Sequence, residues 1–273
     1  MLKKIAICLF SLGVLFFLFS FSFKKDIPAD SLKIMTYNIG NSWCPHKLPQ
    51  TKRINMIKTV IQKENPDIIM LQEANRFGEK IAKSLGYHFV NFKEKGTLIM
   101  SKMPIDKAWQ HTLRNDIGRD GGVICGEIQY DGKTLLLCSV HLTNIPVGYN
   151  GQMLMTKAKM LGVGLREIFF DTQRSNETKD LVKWIGGLGY ENIVIGGDFN
   201  SFFCFKSMRI MRKKFSDTAW GTPAFWESSH KWPKTFFPVK IDYIYVTKNM
   251  DYGGTKIVHQ SPGDHYPVVA YVY

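Results

Sequence analysis

The chain has 273 residues, 45% hydrophobic and 22% charged. That is an ordinary globular balance, with length enough to bury a sizeable core as one large domain or two small ones. Five cysteines with no CxxC and no Cys/His cluster set aside a zinc site. Thirty-six Lys and Arg against 23 Asp and Glu give a net charge of +13. Without Lys3, Lys4, Lys24 and Lys25 the count is 32 basic against 23 acidic residues, still +9. Such a surface favours polyanionic partners, nucleic acid or anionic lipid headgroups, with a solvated lysine-rich surface as the plain alternative.

In chain order, residues 5–23, "IAICLFSLGVLFFLFSFSF", carry no charge. Nineteen residues at a helical rise span roughly 28 Å, about one hydrocarbon core. A cleaved signal peptide has a shorter apolar region and a small-residue cleavage site. Ser20 and Ser22 make a poor one, and Cys8 lacks the neighbours of a lipoprotein signal. Residues 1–25 are therefore read as an N-terminal membrane anchor in preference to a signal segment, 26–31 as a linker and 32–273 as one domain. Lysine pairs on both sides leave the orientation open. The expected location is membrane-anchored or secreted, with the domain on the non-cytoplasmic side.

"LKIMTYNI" reads as a strand, and "TKRINMIKTVIQKENP", with Ile54, Ile57 and Ile61 on one face and Asn65-Pro66 as breaker, as a helix. "DIIMLQE" is a strand, followed by a short helix near 78–85 and strands at "YHFVNF" and "GTLIMS". "GGVICGEIQYDGKTLLLCSVHL" forms a hairpin on Asp131-Gly132. Counting outward, Tyr130 faces Lys133 and Cys125 faces Cys138, a non-hydrogen-bonded pair with Cα atoms about 4.5 Å apart. A cross-strand disulfide fits there in an exported domain, but two buried free thiols are the preferred reading. Helices near 152–170 and 176–188 and strands "NIVIGGD", "KIDYIYV" and "HYPVVAYV" complete the chain. The aromatic-rich stretch 219–238 reads as a long loop of the kind that carries function. Helices alternate with some strands and hairpins join others, which is α+β layering with two packed sheets and helices outside.

Several strands end in a polar group: Asn38 in "TYNIG", Glu73 in "LQEAN", His141 in "SVHLTN", Asp198 and Asn200 in "GGDFNS", Asp242 in "KIDYIYV", and Asp264-His265 in "SPGDHYPVV". Each alone has a plain reading as a turn residue or a strand-end charge. Together they read as a cluster converging at one edge of a sandwich, where loops on rigid strands carry catalytic groups.

In this order and spacing, "MTYNIG", "IIMLQE", "GTLIMSKMPI", "VHLTN", "GDFNS", "IDYIYV" and "DHYPV" resemble the endonuclease/exonuclease/phosphatase superfamily, the deoxyribonuclease I-like fold, over residues 33–272. The resemblance implies a four-layer αββα sandwich of two mixed sheets with outer helices and a divalent-metal hydrolysis of phosphate esters. That chemistry needs a hard cation, a positioned water and a cationic partner for the phosphate. Glu73 is the expected Mg²⁺ ligand, with Mn²⁺ as possible substitute, Asn38 beside it as amide donor or ligand, and Asp264 adding to the metal site. Asp198 would orient or deprotonate the water, and Asn200 would bond the phosphate or fix Asp198. His265 would contact the phosphate, held charged by Asp242. His141 matches a second family histidine assigned to phosphate or leaving-group contact, with Glu94 as its acidic partner, and Arg119 is a candidate phosphate clamp. Where the family has Ser before the Asp-His, this chain has Gly263.

The fold does not choose a substrate. A nuclease or general phosphodiesterase is the leading reading. A sphingomyelinase-like lipid phosphodiesterase, an inositol-polyphosphate-type phosphatase, and a silent membrane-tethered binding module are the alternatives. No protein partner is evident in the sequence.

Overall fold

The structure, a computed structural model, describes residues 26–40, 48–114, 121–144, 148–149, 152–153, 157–231 and 239–273. The apolar run 5–23 and Arg119 lie outside these residues. Among the described residues no helix is long and apolar enough to cross a membrane.

One sheet is built from β1 (Leu32–Asn38), β2 (Ile68–Gln72), β3 (His88–Phe92), β4 (Thr97–Ser101), β13 (Tyr252–Ile257) and β14 (Val268–Val272). Its order is β13-β14-β1-β2-β4-β3, with β1 and β2 parallel. The second contains β5 (Lys107–Leu113), β6 (Gly121–Tyr130), β7 (Lys133–His141), β10 (Ile193–Asp198), β11 (Phe215–Asp217) and β12 (Asp242–Thr247). Its order is β11-β12-β10-β7-β6-β5, with β10 and β7 parallel. A two-residue pair, β8 (Gly148–Tyr149) and β9 (Gln152–Met153), stands apart.

The sheets meet over a core that includes Ile34, Ile68, Met70, Leu137, Val194 and Ile244. Helices α1 (Gln50–Glu64) and α2 (Gly78–Leu85) cover the outer face of the first sheet through Ile54, Ile57, Ile61 and Ile81. Helices α4 (Gln173–Gly187) and α5 (Lys206–Lys214) cover the second through Leu181, Ile185, Met208 and Met211. With α3 (Lys157–Phe169) beside them, the chain forms the αββα sandwich that the strand pattern and resemblance imply.

Local detail departs from the sequence reading for physical reasons. The helix expected from residue 152 begins at Lys157, behind the β8–β9 pair, and the one expected from 176 begins at Gln173. Thr172 caps it through the amide of Ser175, whose hydroxyl accepts the Thr172 amide in return, a box closed by Ser in place of the usual Glu or Gln. Strand β5 is a largely exposed edge without apolar alternation, and β13 holds two glycines, so periodicity marks neither. The hairpin register is as counted, Tyr130 opposite Lys133 and Cys125 opposite Cys138. The preferred free thiols are corrected: Cys125 and Cys138 form a disulfide, their Cα atoms 4.1 Å apart, because this kind of pair brings opposing side chains closest.

Candidate active site

Strand parity builds the site. In β1, β2, β7, β10 and β12 the residues facing the other sheet include Ile34, Met70, Leu137, Val194 and Ile244. Stepping two residues at a time toward one edge of the sandwich reaches Asn38, Gln72, His141, Asp198 and Asp242. Register aligns them: Asp198 lies opposite His141 on one side and Asp242 on the other, and Asn38 lies opposite Gln72. The polar tips meet because they share a face and a level.

Asp198 is the hub. Its Oδ2 accepts a hydrogen bond from Asn38 Nδ2 at 2.9 Å and stands 3.6 Å from His141 Nε2 and 3.8 Å from His265 Nε2. Its Oδ1 accepts the Asn200 backbone amide at 2.9 Å. Asn200 sits at φ +48°, and its side-chain Nδ2 donates to Leu142 O at 2.9 Å, so the residue steadies Asp198 through its backbone. Burial pushes the Asp198 carboxyl up to about 6, with the charge of Asp242 adding to the rise and those of His265 and His141 opposing it.

Behind His265 stands a relay. His265 Nδ1 is 3.0 Å from Asp242 Oδ2, and Ser229 Oγ donates to the same oxygen at 2.7 Å. Ser229 Oγ in turn accepts the amides of Ile241 and Asp242, both at 3.0 Å, which directs its hydroxyl proton at the carboxylate. Burial by itself would lower the His265 pKa, but the carboxylates of Asp242 and Asp198 outweigh it and raise it to about 10. The ring of His230 packs edge-on against His265, centroids 4.5 Å apart, and burial drives His230 down to about 4. One imidazole is held charged and its neighbour neutral.

The opposite wall is more open. Glu73 follows β2 at φ +52°, a left-handed conformation that costs a non-glycine residue of the order of 1 kcal/mol or more. Its Oε1 accepts from Asn38 Nδ2 at 3.3 Å, and its Oε2 lies where a Cβ on Gly40 would fall, 1.7 Å away. Only glycine at position 40 leaves that space. Asn38 Oδ1 accepts the Gly40 amide at 2.8 Å, so the NH₂ of Asn38 faces the two carboxylates and its oxygen is turned aside. Arg53 on α1 pins this turn by donating to the carbonyls of Ile39 and Gly40. A carboxylate with open lone pairs, in a site whose other acids are also oxygen donors, fits a hard divalent cation.

Asp264 stands on the histidine side, its carboxylate grouped within 4.8 Å with ring nitrogens of His230 and His265; Asp198, Asp242 and His265 form a second such group. Gly263 has a steric reason: a Cβ there would fall 2.7 Å from Gly40 O. The hydroxyl at this corner comes from Ser261, which accepts the Gly263 amide at 3.1 Å and pairs with Tyr37 OH at 2.6 Å. Glu94, expected beside His141, is exposed in the turn between β3 and β4, and the carboxylate that reaches His141 is that of Asp198.

Five supporting residues escaped sequence reasoning. Ser229 and His230 lie in the stretch read only as an aromatic-rich loop. Glu177 on α4, fully buried, accepts the amides of Gly121 and Thr143 at 3.1 and 3.0 Å and braces the loop after His141. Gln72 Nε2 donates to Ser139 Oγ at 3.1 Å and Ser139 Oγ to Leu71 O at 3.0 Å, tying the two sheets beneath the cleft. No local pattern distinguishes these from ordinary surface polar residues.

Residues 35–265 match the model of the Endonuclease/Exonuclease/phosphatase family. No curated protein sequence matches the chain. Solved structures that superpose on it include SmcL, at 19% identity and TM-score 0.66 over 89% of this chain and 99% of that one. The catalytic domain of human Nocturnin with bound sulfate superposes at 15% identity and TM-score 0.67, over 91% and 95%. A mannosyl-6-phosphatase of Bacteroides thetaiotaomicron does so at 16% identity and TM-score 0.65, over 89% and 100%. Identities this low speak for the fold alone.

Proposed function

Because this chain belongs to the Endonuclease/Exonuclease/phosphatase family, a family of phosphoesterase hydrolases, we propose that it is a divalent-metal-dependent phosphodiesterase acting by in-line attack of water, with nucleic acid as its leading substrate. The observation that carries the reading is Asp198, buried between Asn38, His141 and His265 with its carboxyl raised to about 6. A carboxylate so placed orients a water and takes its proton near neutral pH. His265, kept protonated by Asp242, offers Nε2–H to the phosphate, and His141 contacts the phosphate or leaving group from the other side of Asp198. Glu73 would hold Mg²⁺ or Mn²⁺, with Asn38 bridging it to Asp198. When bound, the cation neutralises charge developing on the phosphate oxygens. Arg119 remains the candidate clamp on the same phosphate.

The basic charge supports a nucleic-acid substrate, and so does the direction of the chain. Residues 26–31 lie at the pole away from the cleft: Tyr130 OH, at the turn end of the β6–β7 hairpin, donates to Asp30 O. His141, at the other end of β7, is eight residues from Lys133, roughly 26 Å along a strand. An anchor at 5–23 would therefore hold the cleft away from its own membrane. The Cys125–Cys138 disulfide favours an oxidising, non-cytoplasmic compartment. One observation favours a lipid phosphodiester instead. Phe203, Trp220 and Trp226 are 43%, 54% and 56% exposed and cluster around Phe225, with Phe203 three residues past Asn200 and Trp226 three before Ser229.

The test offers residues 26–273 supercoiled plasmid and, in parallel, sphingomyelin vesicles, each with Mg²⁺ or EDTA and with His265→Ala as control. Plasmid nicking that EDTA and the variant both abolish is the expected result. Cleavage of lipid alone would move the protein to the second reading, and inertness toward both would overturn the nucleic-acid and lipid readings and point to a phosphomonoester, a small soluble diester or a silent binding module.

A further inference from the structure

A cavity of about 600 Å³ opens beside Glu73, between α2 and the β3–β4 hairpin. Its inner end is Ala74 and Gly96, joined by an amide-to-carbonyl bond of 2.8 Å directly after Glu73. Its walls carry Arg76 from the turn before α2, Lys80 and Lys83 from the exposed face of α2, Lys93 from the hairpin, and the side chains of Asn75 and Asn91. The one acid in the lining, Glu79, is already engaged, accepting Asn91 Nδ2 at 2.5 Å and standing 4.0 Å from Lys83. Among the described residues no carboxylate pairs with Arg76, Lys80 or Lys93, all of them exposed. The N-terminus of α2, which no side chain caps, opens on the same space and adds its positive dipole end.

A single phosphate cannot engage all of these groups. Lys80 and Lys83 are about 5 Å apart along the helix axis, Arg76 precedes them toward Glu73, and Lys93 lies across the gap. A chain of phosphates can, because its charge repeats along its length. The exposed Asn75 amide suits a sugar hydroxyl or a base edge, which a strand also presents. We propose that this groove seats the nucleic-acid strand on one side of the scissile phosphate, so that the substrate is an extended phosphodiester chain running from the Glu73 wall over α2. Only the register of that strand with the cleft rests on the phosphodiesterase reading; binding itself does not.

The experiment separates the two. The full chain, held in mild detergent, is titrated in EDTA with a fluorescent single-stranded 20-mer across 50–200 mM salt. Two triple variants are compared: Arg76→Gln/Lys80→Gln/Lys93→Gln in the groove, and Lys133→Gln/Lys213→Gln/Lys248→Gln, which removes the same charge away from it. The slope of log affinity against log salt should shrink by about 2 in the groove variant, from roughly 0.7 per phosphate contact on a single strand, and affinity at 100 mM should drop at least tenfold. The remote variant should keep the parental slope. Equal slopes in the two variants, or no binding by the parent, would overturn the groove. Parental hydrolysis of bis-p-nitrophenyl phosphate with Mg²⁺ is measured alongside. Its absence would count against the phosphodiesterase reading while the slopes still decide the groove.

Discussion

The cleft has two walls built to different standards. On one side, Asp198 and Asp242 of the second sheet and His265, on the segment that leads into β14, are buried, and neighbours hold each of them from at least two directions. On the side of the first sheet, Glu73 is half-exposed, its backbone is left-handed, and among the described residues its carboxylate takes one hydrogen bond, from Asn38. Groups that pass protons need fixed partners, since their pKa values are set by distance and burial. A group that takes up a hydrated cation needs open lone pairs, and it tolerates strain where the surrounding structure over-determines it. The fixed wall handles the water and its proton, and the open wall receives cation and strand.

Breaking the fixed wall should have the largest effect. Asp198→Ala should lower kcat by about 10²–10⁴-fold, the range for a positioned proton acceptor, in a protein whose circular dichroism is unchanged. Loss of less than tenfold would remove Asp198 from its role. On the open wall, Glu73→Gln should leave the fold intact and raise the Mg²⁺ concentration for half-maximal activity at least tenfold, read by metal titration of the rate.

The pH profile sharpens the contrast. Asp198, raised to about 6 by burial, is protonated in acid and then accepts no proton from water, so activity should climb about tenfold per pH unit up to that point. His265, raised to about 10 by Asp242 and Asp198 against its burial, keeps its proton through neutrality. Activity should therefore stay on a plateau and fall only as pH approaches 10. His265→Gln, which keeps a neutral donor, should abolish that alkaline fall. A plateau ending near pH 7 would refute the ion-paired state of His265.

Smaller effects test what supports each wall. Ser229→Ala removes a hydroxyl shared by two amides and Asp242, and should cost about 1–3 kcal/mol in urea unfolding together with a several-fold loss in kcat. Glu73→Gly should move the other way in stability. It relieves the left-handed backbone and should gain about 1 kcal/mol while Mg²⁺-dependent activity disappears. A stability loss there would mean that Glu73 is held for packing.

Much of this was legible before the structure, and the reason is periodicity. A strand read two residues at a time states which side chains share a face, so Asn38, His141, Asp198 and Asp242 could be assigned to one edge from the chain alone. The α+β layering of two packed sheets with helices outside followed from the order of strands and helices, the αββα sandwich from the family resemblance, and the Cys125–Cys138 register from counting outward from Asp131-Gly132. Local pattern does not report which groups from distant segments arrive beside one another. That Asp198 and not Glu94 serves His141, that Ser229 and His230 close around Asp242 and His265, that Glu177 braces the loop after His141, and that two thiols become a disulfide are all outcomes of long-range packing. So is the cationic groove, whose lysines come from a helix and a hairpin that meet only when the first sheet is assembled. Side-chain alternation is short-range and written in the sequence; the partners of a buried charge depend on every element packed against it, and only the folded chain specifies them.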